Sequence, residues 1–156
     1  MKRVTCALLL VIMIGVLPRG AVFGIDTGGC FAGADRSTCE EILTLVNRER
    51  GKNNLPPLGC DGALSAIAQN HAEDMAGRRY FKHISPDGRS PFDRLAEAGI
   101  HYRRAGENIA LNREGAHSVV KLWMRSSGHR KNILGDFTKA GVGSYRGYHV
   151  LLLIKE

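Results

Sequence analysis

The sequence predicts an α+β domain with helices packed on a small antiparallel sheet. Two observations carry this: apolar residues recur at three and four in successive segments up to residue 124, and the stretch 140–154 alternates glycines and β-formers around a tight turn. Helices first, then strands and helices mixed, with a closing hairpin, is the α+β order. The length of 156 residues is room for one domain, and 44% apolar with 24% charged residues excludes wholesale disorder and a multi-span membrane protein.

Each element has a local reason. Ser37-Thr38-Cys39-Glu40 has the form of a capping box, and Ile42, Leu45 and Val46 follow at helical spacing up to Gly51. Pro56-Pro57 forbids a helix there. Asp61 is the expected N-cap of a second helix with the stripe Leu64, Ile67, Ala68, His71, Ala72 and Met75. Tyr80 to Gly88 reads as a loop, and Ser90-Pro91-Phe92-Asp93 caps a short third helix that Gly99 stops. Residues 101–110 lack a helical stripe and read as a strand. A fourth helix from about Arg113 to Met124 turns Ala116, Val119, Val120 and Trp123 inward, a short turn holds Gly128 to Leu134, and a hairpin turning at Arg146-Gly147 ends the chain.

The N-terminus changes how the charge is counted. Lys2 and Arg3, the apolar run Cys6 to Leu17, Pro18, and small Ala21 and Gly24 form the pattern of a secretory signal over residues 1–24. The run falls short of the roughly 20 residues that a spanning helix needs, and Thr27-Gly28-Gly29 before Cys30 lacks a lipid-attachment signal. The expected product is a soluble monomer in the periplasm, cell envelope or outside medium, with no transmembrane segment once the signal is cleaved. Its net charge falls from +7 to +4 with the loss of Lys2, Arg3 and Arg19. Residues 25–36, rich in Gly, Asp and Thr, read as a flexible leader, and 37–156 as the domain. Cys30, Cys39 and Cys60 remain in an oxidising compartment, so one bridge and one free thiol are expected, with the pairing open.

Metalloprotease, nucleophile-elbow and phosphate-loop signatures are absent. What stands out is an ordered set of blocks: Phe81-x-His83-x-Ser85-Pro86-Asp87-Gly88, then Gly106-Glu107-Asn108-Ile109-Ala110, then Trp123-Met124-x-Ser126-x-Gly128-His129-Arg130-x-Asn132-Ile133-Leu134, then Gly141-Val142-Gly143. Together with Leu45-Val46-Asn47-x-x-Arg50 and His71-Ala72-x-Asp74-Met75-Ala76, these resemble the bacterial branch of the CAP superfamily, the SCP-like extracellular domains related to cysteine-rich secretory proteins, venom allergens and pathogenesis-related proteins. The resemblance runs from about residue 38 to the end. It implies an α-β-α sandwich, with a three-stranded antiparallel sheet flanked by helices and a cleft lined in animal and plant members by two His and two Glu. His83, Glu107 and His129 match three of that tetrad; Ser126 stands where the second Glu belongs, and Ser127 replaces a Pro usual in the bacterial block.

Several chemistries remain open to these residues. Two imidazoles and one carboxylate are the ligand set of a three-ligand zinc site, which would make Zn the cofactor and hydrolysis of peptides or cell-wall material the reaction. Glu107 with a histidine could instead act as acid and base, with Ser85 as the nucleophile. The third reading is a cleft of His83, Glu107, His129, Ser126 and Asn108 that binds a lipid, peptide or cell-wall-derived small molecule without turnover, held by a buried polar network. His71 reads as a core histidine, and Asn108 and Asn132 as partners of loop backbone. Basic pairs at Arg78-Arg79, Arg103-Arg104 and Arg130-Lys131, with Lys82, are a solvated surface that can meet anionic polymers, carboxylates or lipid head groups. Export and the absence of a recognition module exclude nucleic acid as the expected partner.

Overall fold

The computed structural model describes residues 30–31 and 35–156. The signal assigned to residues 1–24 lies outside the described residues. In order the elements are α1 (Arg36–Lys52), β1 (Gly59–Cys60), α2 (Gly62–Gly77), α3 (Pro91–Glu97), β2 (Arg104–Leu111), α4 (Ala116–Arg125), α5 (Ser127–Ile133), β3 (Lys139–Tyr145) and β4 (Tyr148–Lys155). Among the described residues no helix is long and apolar enough to cross a membrane.

The strands form one sheet in the order β1-β3-β4-β2. β2 and β3 pair antiparallel to β4, but β1 runs parallel to β3, so the sheet has four strands and is mixed where three antiparallel strands are expected. The added strand is two residues long and has no periodicity to betray it. Backbone bonds hold it, from Gly59 N to Thr138 O and from Asp61 N to Ala140 O, each 2.9 Å.

Alternation along β4 divides the core. Val150, Leu152 and Ile154 face α2 and α3 with Leu64, Ala68, Met75 and Leu95, while Leu151 and Leu153 face α1, α4 and α5 with Ile42, Val46, Trp123 and Ile133. Helices on both faces bury the sheet on both sides. α2 lies directly on β3. A Cβ at Gly141 would stand 2.2 Å from the backbone of Leu64 and Ser65, and one at Gly143 would stand 2.2 Å from Gln69 N. No side chain fits between the two elements.

Ser90 and Asp93 form the expected capping box, with Pro91 in the first turn of α3, and Asp61 caps α2. The box expected at Ser37 does not form. α1 begins earlier, at Arg36 after Asp35, where the Arg36–Glu40 ion pair at 2.9 Å supports the added turn. The expected leader is tied down at its described residues: Cys30 is bonded to Cys60, and Asp35 O accepts from Cys39 N. Cys39 is the free thiol, fully buried and pushed up to about 12 by that burial, so it is an inert core residue.

Arg50, 1% exposed, is a buried cation that forms no ion pair among the described residues. Its guanidinium donates to the carbonyls of Pro56, Ile133, Gly135 and Phe137, tying α1 to the end of α5 and the turn that leads into β3.

Candidate functional site

The site forms along β2, one of the two edge strands of the sheet. Strand alternation sends Glu107 and Ile109 to the α2 face and Asn108 and Ala110 to the other. The uncovered edge is closed by side chains: Trp123 Nε1 donates to Ile109 O at 3.0 Å and Asn132 Nδ2 to Glu107 O at 3.2 Å. Trp123 is thus both the core anchor read from the sequence and a guard on a strand edge that could otherwise pair.

Glu107 is the electrostatic centre, with a side chain only 2% exposed. Arg94 Nη2 donates to its Oε2 at 2.9 Å and His83 Nδ1 meets its Oε1 at 2.8 Å. A carboxylate only accepts, so the shared proton sits on His83 Nδ1, and Nε2 is the ring nitrogen left to face outward. Arg94 also donates to the carbonyls of His83 and Arg89, each at 3.1 Å. One guanidinium therefore fixes both the carboxylate and the loop that carries His83. The blocks of the sequence do not include Arg94, yet a signal was present: with Pro91 and Leu95 it occupies the buried face of α3.

Ser85 is 4% exposed, and its Oγ lies 3.2 Å from Tyr80 Oη and 3.3 Å from Arg94 Nη1. Among the described residues it bonds to neither His83 nor His129. Tyr80 in turn donates to Asp74, and burial first, then this bond, raises its pKa. His71, 2% exposed, donates from Nε2 to Lys82 O at 3.2 Å, and burial lowers its pKa. It is the core histidine that its place on the α2 stripe implies, and it supports the loop from beneath.

His129 approaches from α5. Burial and then the neighbouring His83 lower its pKa, which favours a neutral ring. Asn108 is fully buried on the far face, donating to His129 O at 3.0 Å and accepting from Asn132 at 2.9 Å. It positions α5 and does not line the cleft. Ser126 joins α4 to α5 and makes no side-chain cap bond. Of the five cleft residues read from the sequence, the cavity takes His83 and His129, with Glu107 buried behind His83. The cavity has a volume of ≈ 500 Å³ and is otherwise lined by Phe81, Lys82, Ile84 and Ile109. Phe81 and Ile84 are 43% and 55% exposed, an apolar rim the histidine motif does not announce.

Zinc does not fit this arrangement. Among the described residues no three His, Cys, Asp or Glu side chains are placed to hold a metal ion, and both Glu107 oxygens are engaged, one by a buried guanidinium. His83 and Glu107 form a hydrogen-bonded pair, and His129 lines the same cavity as His83.

Helices on both faces of a sheet, with a His–Glu pair at its edge and a second His opposite, define the class of domain to which this chain belongs. Residues 43–152 match the cysteine-rich secretory protein (CAP) family, and the chain is a member of it. It is 48% identical to the uncharacterized protein YkwD of Bacillus subtilis over 105 residues, covering 67% of this chain and 41% of that protein. It is 40% identical to the uncharacterized membrane protein YlbC of the same species over 118 residues, covering 75% of this chain and 34% of that one. The chain thus spans less than half the length of these relatives. An extracellular SCP-domain protein of Bacillus anthracis superposes with a TM-score of 0.74 at 35% identity, over 77% of this chain and 41% of that one. An outer surface protein of Borrelia burgdorferi shares the fold, with a TM-score of 0.74 at 22% identity over 80% and 96% of the two chains.

Proposed function

We propose that the chain is an exported CAP domain that binds an amphipathic ligand in the cleft between His83 and His129 without turning it over. The apolar portion of the ligand, an acyl chain or apolar peptide side chain, lies on Phe81, Ile84 and Ile109, and its polar head meets His83 Nε2, His129 and Lys82. The observation that carries this reading is the composition of the cavity: exposed apolar side chains surround two imidazoles, while the carboxylate is buried and neutralised by Arg94. A carboxylate so held serves position, not proton transfer, and the Ser85 hydroxyl is engaged by Tyr80 and Arg94. Export is supported by the signal pattern over residues 1–24 and by the extracellular relative from B. anthracis.

Calorimetric titration with a single-chain fatty acid below its micelle concentration tests the reading. Saturable 1:1 binding that weakens about tenfold or more in Ile84→Asp, with no hydrolysis of the corresponding acyl ester, is the expected result; a buried CH₂ contributes about 0.8 kcal/mol, so two lost methylenes account for that factor. Equal binding by wild type and variant, or ester hydrolysis lost in Glu107→Gln, contradicts it.

A further inference from the structure

A cavity larger than that of the cleft lies elsewhere on the domain. It opens between α1 and α4 with a volume of ≈ 670 Å³, and Leu45, Val120 and Met124 contribute to its wall beside Lys121 and Arg125. A second depression of ≈ 410 Å³ shares Met124 and Arg125 with it and continues past Ser127, Arg130, Lys131 and Leu134. The two form one trough with an apolar component along its length and cations beside it.

Residues 116–134 contain no Asp or Glu. Among the described residues Lys121, Arg125, Arg130 and Lys131 enter no ion pair, whereas Arg89, Lys139 and Lys155 each hold a carboxylate. The two acids that line the α1 end are already engaged, Glu49 by Lys52 and Glu114 by the Ser118 hydroxyl. Lys121 and Arg125 stand one helical turn apart, about 6 Å along α4, and Arg130 and Lys131 extend the row onto α5. A lone anion meets one or two of these groups; a row of four fits a repeating one. A concave trough also receives a chain better than a flat bilayer, which would rest on its rims.

We infer that the trough along α4 and α5 binds a linear polymer of repeating phosphates, held through its backbone by Lys121, Arg125, Arg130 and Lys131. Arginine forks suit phosphate oxygens, and the two lysine ammonium groups add point charges along the row. The site is separate from the cleft: none of its lining residues touches the His83–His129 cavity.

The test is a titration of the purified protein with fluorescently labelled long-chain inorganic polyphosphate, repeated across salt concentrations. Four backbone contacts on a single-stranded polyanion give a slope of about −2.8 in log K against log salt, so affinity falls about 50-fold between about 50 and 200 mM salt. Arg130→Ala/Lys131→Ala keeps two contacts, so its affinity falls only about sevenfold over the same range and is weaker throughout at low salt. Arg103→Ala/Arg104→Ala removes the same charge away from the trough and stays within about twofold of wild type; circular dichroism checks that both variants fold. No saturable binding at low salt overturns the inference. So does equal weakening of the two double variants, which would mean net charge alone. Sedimentation of the protein with anionic phosphatidylglycerol vesicles, without polyphosphate binding, also overturns it and points to a membrane surface.

Discussion

Removing the Arg94 guanidinium should cost more than any other single substitution at the site. In Arg94→Met the Glu107 carboxylate, 2% exposed, loses its only fixed positive partner among the described residues. Breaking a buried pair from one side typically costs 3–5 kcal/mol, because the remaining charge is left in a poor solvent. His83 still donates to the other oxygen and offsets part of that loss, while the His83 and Arg89 carbonyls each lose a donor at about 1 kcal/mol. The expected total is about 4 kcal/mol. Glu107→Gln removes the orphaned charge, so in that background Arg94→Met should cost only about 1–2 kcal/mol, leaving a coupling of about 2–3 kcal/mol in a double-mutant cycle measured by urea unfolding. A cost below about 1 kcal/mol for Arg94→Met, or additive costs in the double variant, would refute the assignment of Arg94 as the residue that holds the site together.

Three further outcomes follow from the fold. Cys30 and Cys60 close a loop with a sequence separation of 30, so Cys30→Ser/Cys60→Ser should lower stability by about 3–4 kcal/mol on the chain-entropy relation, and reduction of the wild type should match it; unchanged unfolding midpoints would contradict the bridge. Gly141→Ala forces a Cβ into the α2 backbone and should cost about 3 kcal/mol, the upper end for overpacking, with a wild-type midpoint refuting the close contact of α2 with β3. Burial lowers the pKa of both His71 and His149, so the unfolded chain binds protons more readily; stability is complete above the ordinary histidine range and falls as pH drops through it. Each group contributes a slope of at most about 1.4 kcal/mol per pH unit there, and an acid limb no shallower in His149→Gln than in wild type would show that His149 adds nothing.

Much of the fold was legible because its signals are local. The Ser90 box and the Asp61 cap need only neighbours three residues away, and the closing hairpin announces itself by alternation around Arg146-Gly147, both at positive φ. β1 was not legible, since two residues carry no period and their partner lies near residue 139. The start of α1 was misplaced because Ser37 looks like a cap to its own neighbours, while an ion pair one turn away extends the helix past it.

The site was legible in its ring groups and not in its physics. His83, Glu107 and His129 could be picked out in order, but their arrangement depends on Arg94, which donates to the carboxylate and to the loop that carries His83. Arg50 is similar: the stripe Cys39, Ile42, Leu43 and Val46 continues to it at helical spacing, and a cation on an apolar stripe points to a buried hub. Whether such a cation meets a carboxylate or a set of carbonyls is decided by chain segments far away. Asn108 adjoins Glu107 in the sequence, and strand alternation puts it on the opposite face.

The most direct test of the central claim is nitrogen-15 NMR of the histidine rings during titration with the fatty acid. The His83 and His129 ring signals should shift together and saturate at one equivalent, with His83 Nδ1 still donating to Glu107, while those of the buried His71 and His149 stay in place. Shifts confined to other histidines, or none at saturating ligand, would contradict a ligand seated between His83 and His129.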